Sequence, residues 1–171
     1  VAGRILEMPE QLEAGDQVSK GQMLLQIDRE DYQAAVQEAE AAIARLDATL
    51  KRLEATEQTT RAQMKVSRRS RDLAKADFDR LSKLSKDTNT VSQAVAESAE
   101  RVLAQAEVQL LQLEQTLEIL PSQRAETQSE RQAAVARLQR ANTQLNRTTL
   151  TAPFNGRIIS SMAEQDSYLS P

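Results

Sequence analysis

The sequence predicts a mainly α-helical protein: a long antiparallel coiled-coil hairpin inserted in a small β domain built from both ends of the chain. The first observation is that no glycine occurs between Gly21 and Gly156. This tract is rich in Ala, Leu, Gln, Glu, Arg and Lys, the residues that lose least free energy in a helix. The second is that glycine-containing segments typical of strands and turns occur only at the two ends.

Composition limits both the core and the chemistry of the chain. Aromatic residues make up 2% and hydrophobic residues 40% of the 171 residues, so the apolar side chains are expected to form a narrow seam. The absence of Cys and His removes thiol nucleophiles, the usual zinc ligands and the commonest general base. We therefore expect no enzyme activity, no metal and no cofactor. Interleaved charges, 25 acidic and 22 basic, argue against nucleic acid as a partner.

The N-terminal part of the chain is predicted to contain short strands. Residues 1–5 have the character of a strand, and residues 15–22 form a glycine-bounded turn. A second apolar strand follows at 23–28. The first helix then begins at Arg29.

The helical tract divides into two arms, roughly 29–85 and 92–146, at the polar segment 86–90. Apolar residues recur in alternate steps of three and four, the spacing of a coiled-coil seam. Because two arms of nearly equal length flank one short turn, we expect a hairpin. The seam residues are Val36, Ala39, Ile43, Leu46, Leu50 and Leu53 in the first arm, and Leu103, Ala106, Leu110, Leu113, Leu117, Leu120, Leu138, Ala141 and Leu145 in the second.

Each arm has a polar patch at mid-length. The seam register passes through Glu57 in the first arm and Arg124 in the second. Folding the arms back about Asn89 brings Glu57 level with the region 121–124, so the two polar patches meet. We therefore expect a Glu57–Arg124 pair across the seam; the alternative is that both side chains are solvated, since exposed ion pairs contribute little.

Pro121 interrupts the helical pattern in the middle of the second arm. Proline removes one backbone hydrogen bond and clashes with the preceding turn, so we expect a kink or a short interruption. This site is either a hinge at which the hairpin bends or a helix defect that is tolerated because the polar packing beside it is weak.

The C-terminal segment 150–159 is predicted to form strands, and Pro153 is expected to end the second helix. In a helical hairpin, the start of the first helix and the end of the second lie next to each other. The strands at the two ends are therefore expected to be halves of a single small β domain.

Two motifs in these end segments resemble a known domain. They are Gly-Asp-x-Val-x-Lys-Gly-Gln-x-Leu-x-x-Ile-Asp-x-x-Asp-Tyr at 15–32 and Arg-Thr-x-Leu-x-Ala-Pro-Phe-x-Gly-Arg-Ile at 147–158. Together they resemble the split lipoyl-like (biotinyl-lipoyl) domain of periplasmic adaptor proteins, also called membrane fusion proteins or the HlyD family. The resemblance implies half-domains at 1–28 and 148–171 around a hairpin at 29–147. Lys20 lies outside the acylated turn of true lipoyl carriers, so no covalent lipoyl group is expected.

The resemblance also implies a function. Adaptors of this family bridge an inner-membrane transporter and a TolC-class outer-membrane channel in tripartite multidrug efflux pumps of the RND type. It implies a periplasmic location in a Gram-negative bacterium, an inner-membrane anchor, a transporter contact through domains outside these residues, and self-association into a ring or tube. Two alternatives are an adaptor of an ABC or MFS-type system and, in a different class, a self-assembling structural coiled coil.

The hairpin tip, at about 86–92, is the segment that the resemblance assigns to channel docking. Family members carry Arg-x3-Leu-x6-Ser there. Arg80 and Leu84 match this spacing, and Ser92 comes one residue late. The simpler alternatives are a solvated Arg80 paired with Asp77, a last seam residue at Leu84, and an ordinary helix cap at Ser92.

Overall fold

The computed structural model describes residues 1–8, 13–87, 92–161, 163–164 and 166–169. These residues divide into two compact units, Val1–Arg45 with Glu130–Pro171, and Leu46–Ser129. The elements in chain order are β1 (Gly3–Glu7), β2 (Gln17–Val18), β3 (Met23–Ile27), α1 (Glu30–Asp87), α2 (Gln93–Asn146), β4 (Thr149–Thr151), β5 (Gly156–Arg157) and β6 (Tyr168–Leu169).

The strands of the first unit form two antiparallel sheets, each of which combines strands from both ends of the chain. The larger sheet has the order β4-β3-β1-β6, and the smaller one pairs β2 with β5. In the larger sheet Ile5 is opposite Ile27, and Leu25 is opposite Leu150. The prediction that the two ends form one small β domain is therefore confirmed.

A small apolar core lies under the larger sheet. Ile5, Leu25 and Ile27 are buried, and the partly buried Met8, Ala163 and Leu169 pack against them. Gly3 is required by close packing, because a Cβ atom at this position would lie 2.5 Å from Ile27 Cγ2.

The two sequence motifs contact each other through hydrogen bonds donated by main-chain N–H groups. Lys20 N–H donates to Asn155 Oδ1 at 2.7 Å. Gly21 N–H donates to the Ala152 carbonyl at 2.8 Å, and Ala152 N–H donates to the Gln22 carbonyl at 2.9 Å. The motif residues thus join the two halves of the β domain, and Lys20 itself is exposed.

The helix bounds agree closely with the predicted arms. Asp28 Oδ1 accepts the Glu30 N–H at 3.0 Å at the start of α1, which satisfies a free helix-end donor. The expectation that Pro153 ends the second helix is wrong, because α2 already ends at Asn146. There the buried Thr148 hydroxyl donates to the Leu145 carbonyl at 2.7 Å, and the Thr148 carbonyl accepts from Ile27 N–H at 2.8 Å.

The helices form the predicted antiparallel hairpin. Within the unit Leu46–Ser129, Arg68 pairs with Glu114, and Glu57 pairs with Arg124. The residue number therefore rises along one helix where it falls along the other, so the two helices are antiparallel. Leu46, Ala106, Leu110 and Leu120 are buried along the seam.

Pro121 lies inside α2, which is continuous from Gln93 to Asn146. The interruption expected at this residue is therefore absent, whereas bending at Pro121 stays a prediction. The neighbouring Ser122 hydroxyl donates to the Ile119 carbonyl at 2.7 Å, so a side chain takes part in the hydrogen bonding of this turn.

Candidate docking site at the hairpin end

Arg80 and Leu84 lie one helical turn apart near the end of α1, which places them on the same helix face. Both are exposed. Arg80 Nη2 lies 2.8 Å from Asp77 Oδ1, which is the intrahelical pair that the sequence offered as an alternative. Because both partners are exposed, breaking this pair to engage another acceptor costs little.

Ser92 is exposed and stands immediately before α2. The Val95 N–H donates to the Ser92 main-chain carbonyl at 3.0 Å, and Gln93 Nε2 donates to Glu97 Oε1 at 3.1 Å. Ser92 therefore occupies the position of a helix cap. Residues 88–91 of the predicted tip lie outside the described residues.

The mid-arm polar layer centres on the half-buried Glu57. Its Oε2 lies 3.3 Å from Arg124 Nη1 on the other helix. Its Oε1 lies 2.7 Å from Arg61 Nη2, one turn further along α1. Each carboxylate oxygen of Glu57 thus pairs with a different guanidinium group, and the pair with Arg124 links the two arms.

A second ion pair between the arms was not predicted. Arg68 Nη2 lies 3.3 Å from Glu114 Oε1. The fold-back that brings Glu57 level with Arg124 also brings these residues level, and both directly follow seam positions. Extending the same register along the arms would have identified the pair.

The described residues contain no group of acidic side chains placed to hold a metal ion. Across the same part of the chain, no helix has an apolar stretch that could span a membrane. What this hairpin end offers is an exposed guanidinium, an aliphatic side chain and a hydroxyl, groups suited to contact with another protein.

Two long antiparallel helices inserted between the halves of a small antiparallel β domain define the hairpin-bearing domain of membrane fusion proteins. Residues 1–170 match the family described as RND MFP, barrel-sandwich hybrid domain. The chain belongs to this family. No protein of curated function matches the sequence.

Solved structures share the fold. The periplasmic adaptor protein EmrA is 15% identical with a TM-score of 0.51, and the match covers 99% of this chain and 66% of EmrA. The membrane fusion protein Spr0693 from Streptococcus pneumoniae R6 is 21% identical with a TM-score of 0.50, over 91% of this chain and 46% of Spr0693. This chain thus spans less than two thirds of the length of either protein.

Proposed function

We propose that this chain is the hairpin and split β domain of a periplasmic adaptor that bridges an inner-membrane transporter and a TolC-class outer-membrane channel. The family match over residues 1–170 supports the adaptor role and favours a transporter of the RND type. In this proposal the protein acts in multidrug efflux at the periplasmic side of a Gram-negative inner membrane. The longer protein contacts the transporter and is anchored to that membrane.

The observation that carries the channel contact is the exposed pair Arg80 and Leu84 near the end of α1. A guanidinium presents a planar fork of donors that suits carboxylates and main-chain carbonyls at the helix ends of a partner. Leu84 adds an apolar contact one turn further on, and Ser92 offers a hydroxyl at the start of the returning helix.

The pairing of both chain ends in one β domain supports an adaptor over an intermolecular coiled coil. An intermolecular coiled coil would not require residues 15–22 to meet residues 152–158 of the same chain. Here Gly15 N–H donates to the Ile158 carbonyl at 2.8 Å, and Gly21 N–H donates to the Ala152 carbonyl at 2.8 Å. Self-association into a ring or tube accompanies channel docking in this proposal.

Site-specific crosslinking in cells tests the channel contact. These 171 residues contain no cysteine, so single cysteines at Arg80, Leu84 and Ser92 of the full-length protein each report one position. Bands with the outer-membrane channel are expected from these sites and not from the mid-arm control Gln112. If no channel band forms from any of the three sites, the docking assignment is wrong.

A further inference from the structure

Asn155 is followed by glycine in the bend between β4 and β5. The sequence contains four asparagines, and only this one precedes a glycine. Its side chain is exposed to water. Asparagine is chemically labile, and a following glycine has no side chain to block the approach of its main-chain nitrogen to the asparagine amide. Asn155 and Gly156 therefore have the sequence that favours spontaneous deamidation.

Deamidation of this pair is an internal reaction that needs only water. The Gly156 nitrogen attacks Asn155 Cγ, a bond forms between these two atoms, and the Cγ–Nδ2 bond breaks. Nδ2 leaves as ammonia and takes up the proton of the Gly156 N–H. Water then opens the resulting five-membered ring at either of its two carbonyl carbons. The product at position 155 is aspartate or isoaspartate, and isoaspartate places an additional methylene group in the main chain.

Both reacting groups are held by the N-terminal half of the β domain. Asn155 Oδ1 accepts the Lys20 N–H at 2.7 Å. Gly156 lies opposite Val18 in the pair formed by β2 and β5, so its main chain is extended. Ring closure requires the Asn155 side chain to turn back toward its own main chain and requires Gly156 to leave the strand. Both contacts with the N-terminal half must therefore be lost before the reaction.

We propose that Asn155 is a deamidation site that the joining of β2 with β5 protects. The reaction proceeds from molecules in which this strand pair has opened locally, which costs less free energy than unfolding the whole domain. Aspartate at position 155 keeps an acceptor for the Lys20 N–H, and its charge strengthens the hydrogen bond. Isoaspartate lengthens the main chain directly before β5 and so displaces Gly156 from its position opposite Val18.

The turn that contains Lys20 provides a matched pair of variants. In this turn the Gln22 N–H donates to the Ser19 carbonyl at 3.0 Å, and Gly21 has a φ of 85°. These features fit a type II turn, in which proline is favoured at the position of Lys20. Lys20→Pro therefore removes the N–H that holds the asparagine and suits the turn. Lys20→Ala removes the side chain and keeps the N–H.

Mass spectrometry of the full-length protein after incubation at neutral pH measures the reaction. Trypsin releases residues 148–157, which contain Asn155, and residues 141–147, in which Asn142 precedes threonine and serves as an internal reference. Deamidation of Asn155 is expected to be about 3- to 10-fold faster in Lys20→Pro than in the wild type, the change that loss of one net hydrogen bond gives. Lys20→Ala is expected to change the rate by less than about twofold.

A second measurement on the wild type does not depend on how well the variants fold. Deamidation of Asn155 is expected to be at least about tenfold slower in the folded protein than in the protein unfolded in urea. Equal rates in the two states would overturn the proposal. It would also be overturned if Asn155 reacted no faster than Asn142 in urea, or if a folded Lys20→Pro variant reacted no faster than Lys20→Ala.

Discussion

Replacing Ser67 by alanine is expected to stabilise the hairpin. Ser67 occupies a seam position and is only 7% exposed. Its hydroxyl is buried and has no hydrogen-bond partner among the described residues. A buried polar group without a partner costs about 1–3 kcal/mol, and alanine in place of serine adds about 0.5 kcal/mol of helix propensity. The expected gain in the free energy of unfolding is therefore about 1.5–3.5 kcal/mol.

The matched control is Ser70→Ala, three residues further along the same helix. Ser70 is exposed, so its replacement brings only the propensity gain of about 0.5 kcal/mol. Urea unfolding followed by helical circular dichroism measures both variants, and comparable m values make the two free energies comparable. If Ser67→Ala gains no more than Ser70→Ala, the buried hydroxyl costs nothing and the reasoning is refuted.

Three further predictions concern the ion pair, the core and the proline. A double-mutant cycle with Glu57→Gln and Arg124→Gln is expected to give a coupling of about 0.2–1 kcal/mol that falls with added salt, because the side chains are 24% and 50% exposed. Gly3→Ala is expected to destabilise the β domain by about 1–3 kcal/mol, since the new Cβ would lie 2.5 Å from Ile27 Cγ2. Pro121→Ala, at an exposed helix-interior position, is expected to stabilise α2 by up to about 3 kcal/mol in urea unfolding.

Each of these predictions has a distinct failure. A coupling that is zero at low salt would mean that the Glu57–Arg124 pair does not form in solution. If Gly3→Ala were as stable as the wild type, Ile27 would have room to move away, and its close approach would not require glycine at position 3. If Pro121→Ala were less stable than the wild type, the proline ring at position 121 would be shown to stabilise the hairpin.

The helices were predictable because their signals are local and repeated. The glycine-free tract and the alternate steps of three and four residues predict the two arms, and a fold-back about Asn89 brings Glu57 level with the region 121–124. Short strands such as β2 and β6, of two residues each, have no such signal. They form because distant segments pair with them: Gln17 lies opposite Arg157, and the neighbouring Ile158 N–H donates to the Asp16 carbonyl at 3.0 Å.

The remaining differences arise where tertiary contacts override local preference. A kink or a short interruption was expected at Pro121; the interruption is absent, since α2 continues through Pro121 while Leu120 beside it is buried in the seam. The predicted end of the second arm at residue 146 agrees with α2, but the stop was attributed to Pro153, whereas the chain directly after Asn146 already pairs with β3. The missing partner of Ser67 has no sequence signal at all, because it depends on the packing of neighbouring side chains.

The mixed strand order of the β domain determines how the chain can fold. β3 and β4 are neighbours in the larger sheet although roughly 120 residues separate them, and closing a flexible loop of that length costs about 4 kcal/mol plus a constant. Helices form much faster than such long-range strand pairs. When α1 and α2 pack into a hairpin, they bring β3 and β4 together. During synthesis, β1 and β3 are made first and keep an unpaired edge until α2 has emerged. A mutation that slows formation of the hairpin is therefore expected to cause aggregation through the unpaired strand edges of the β domain.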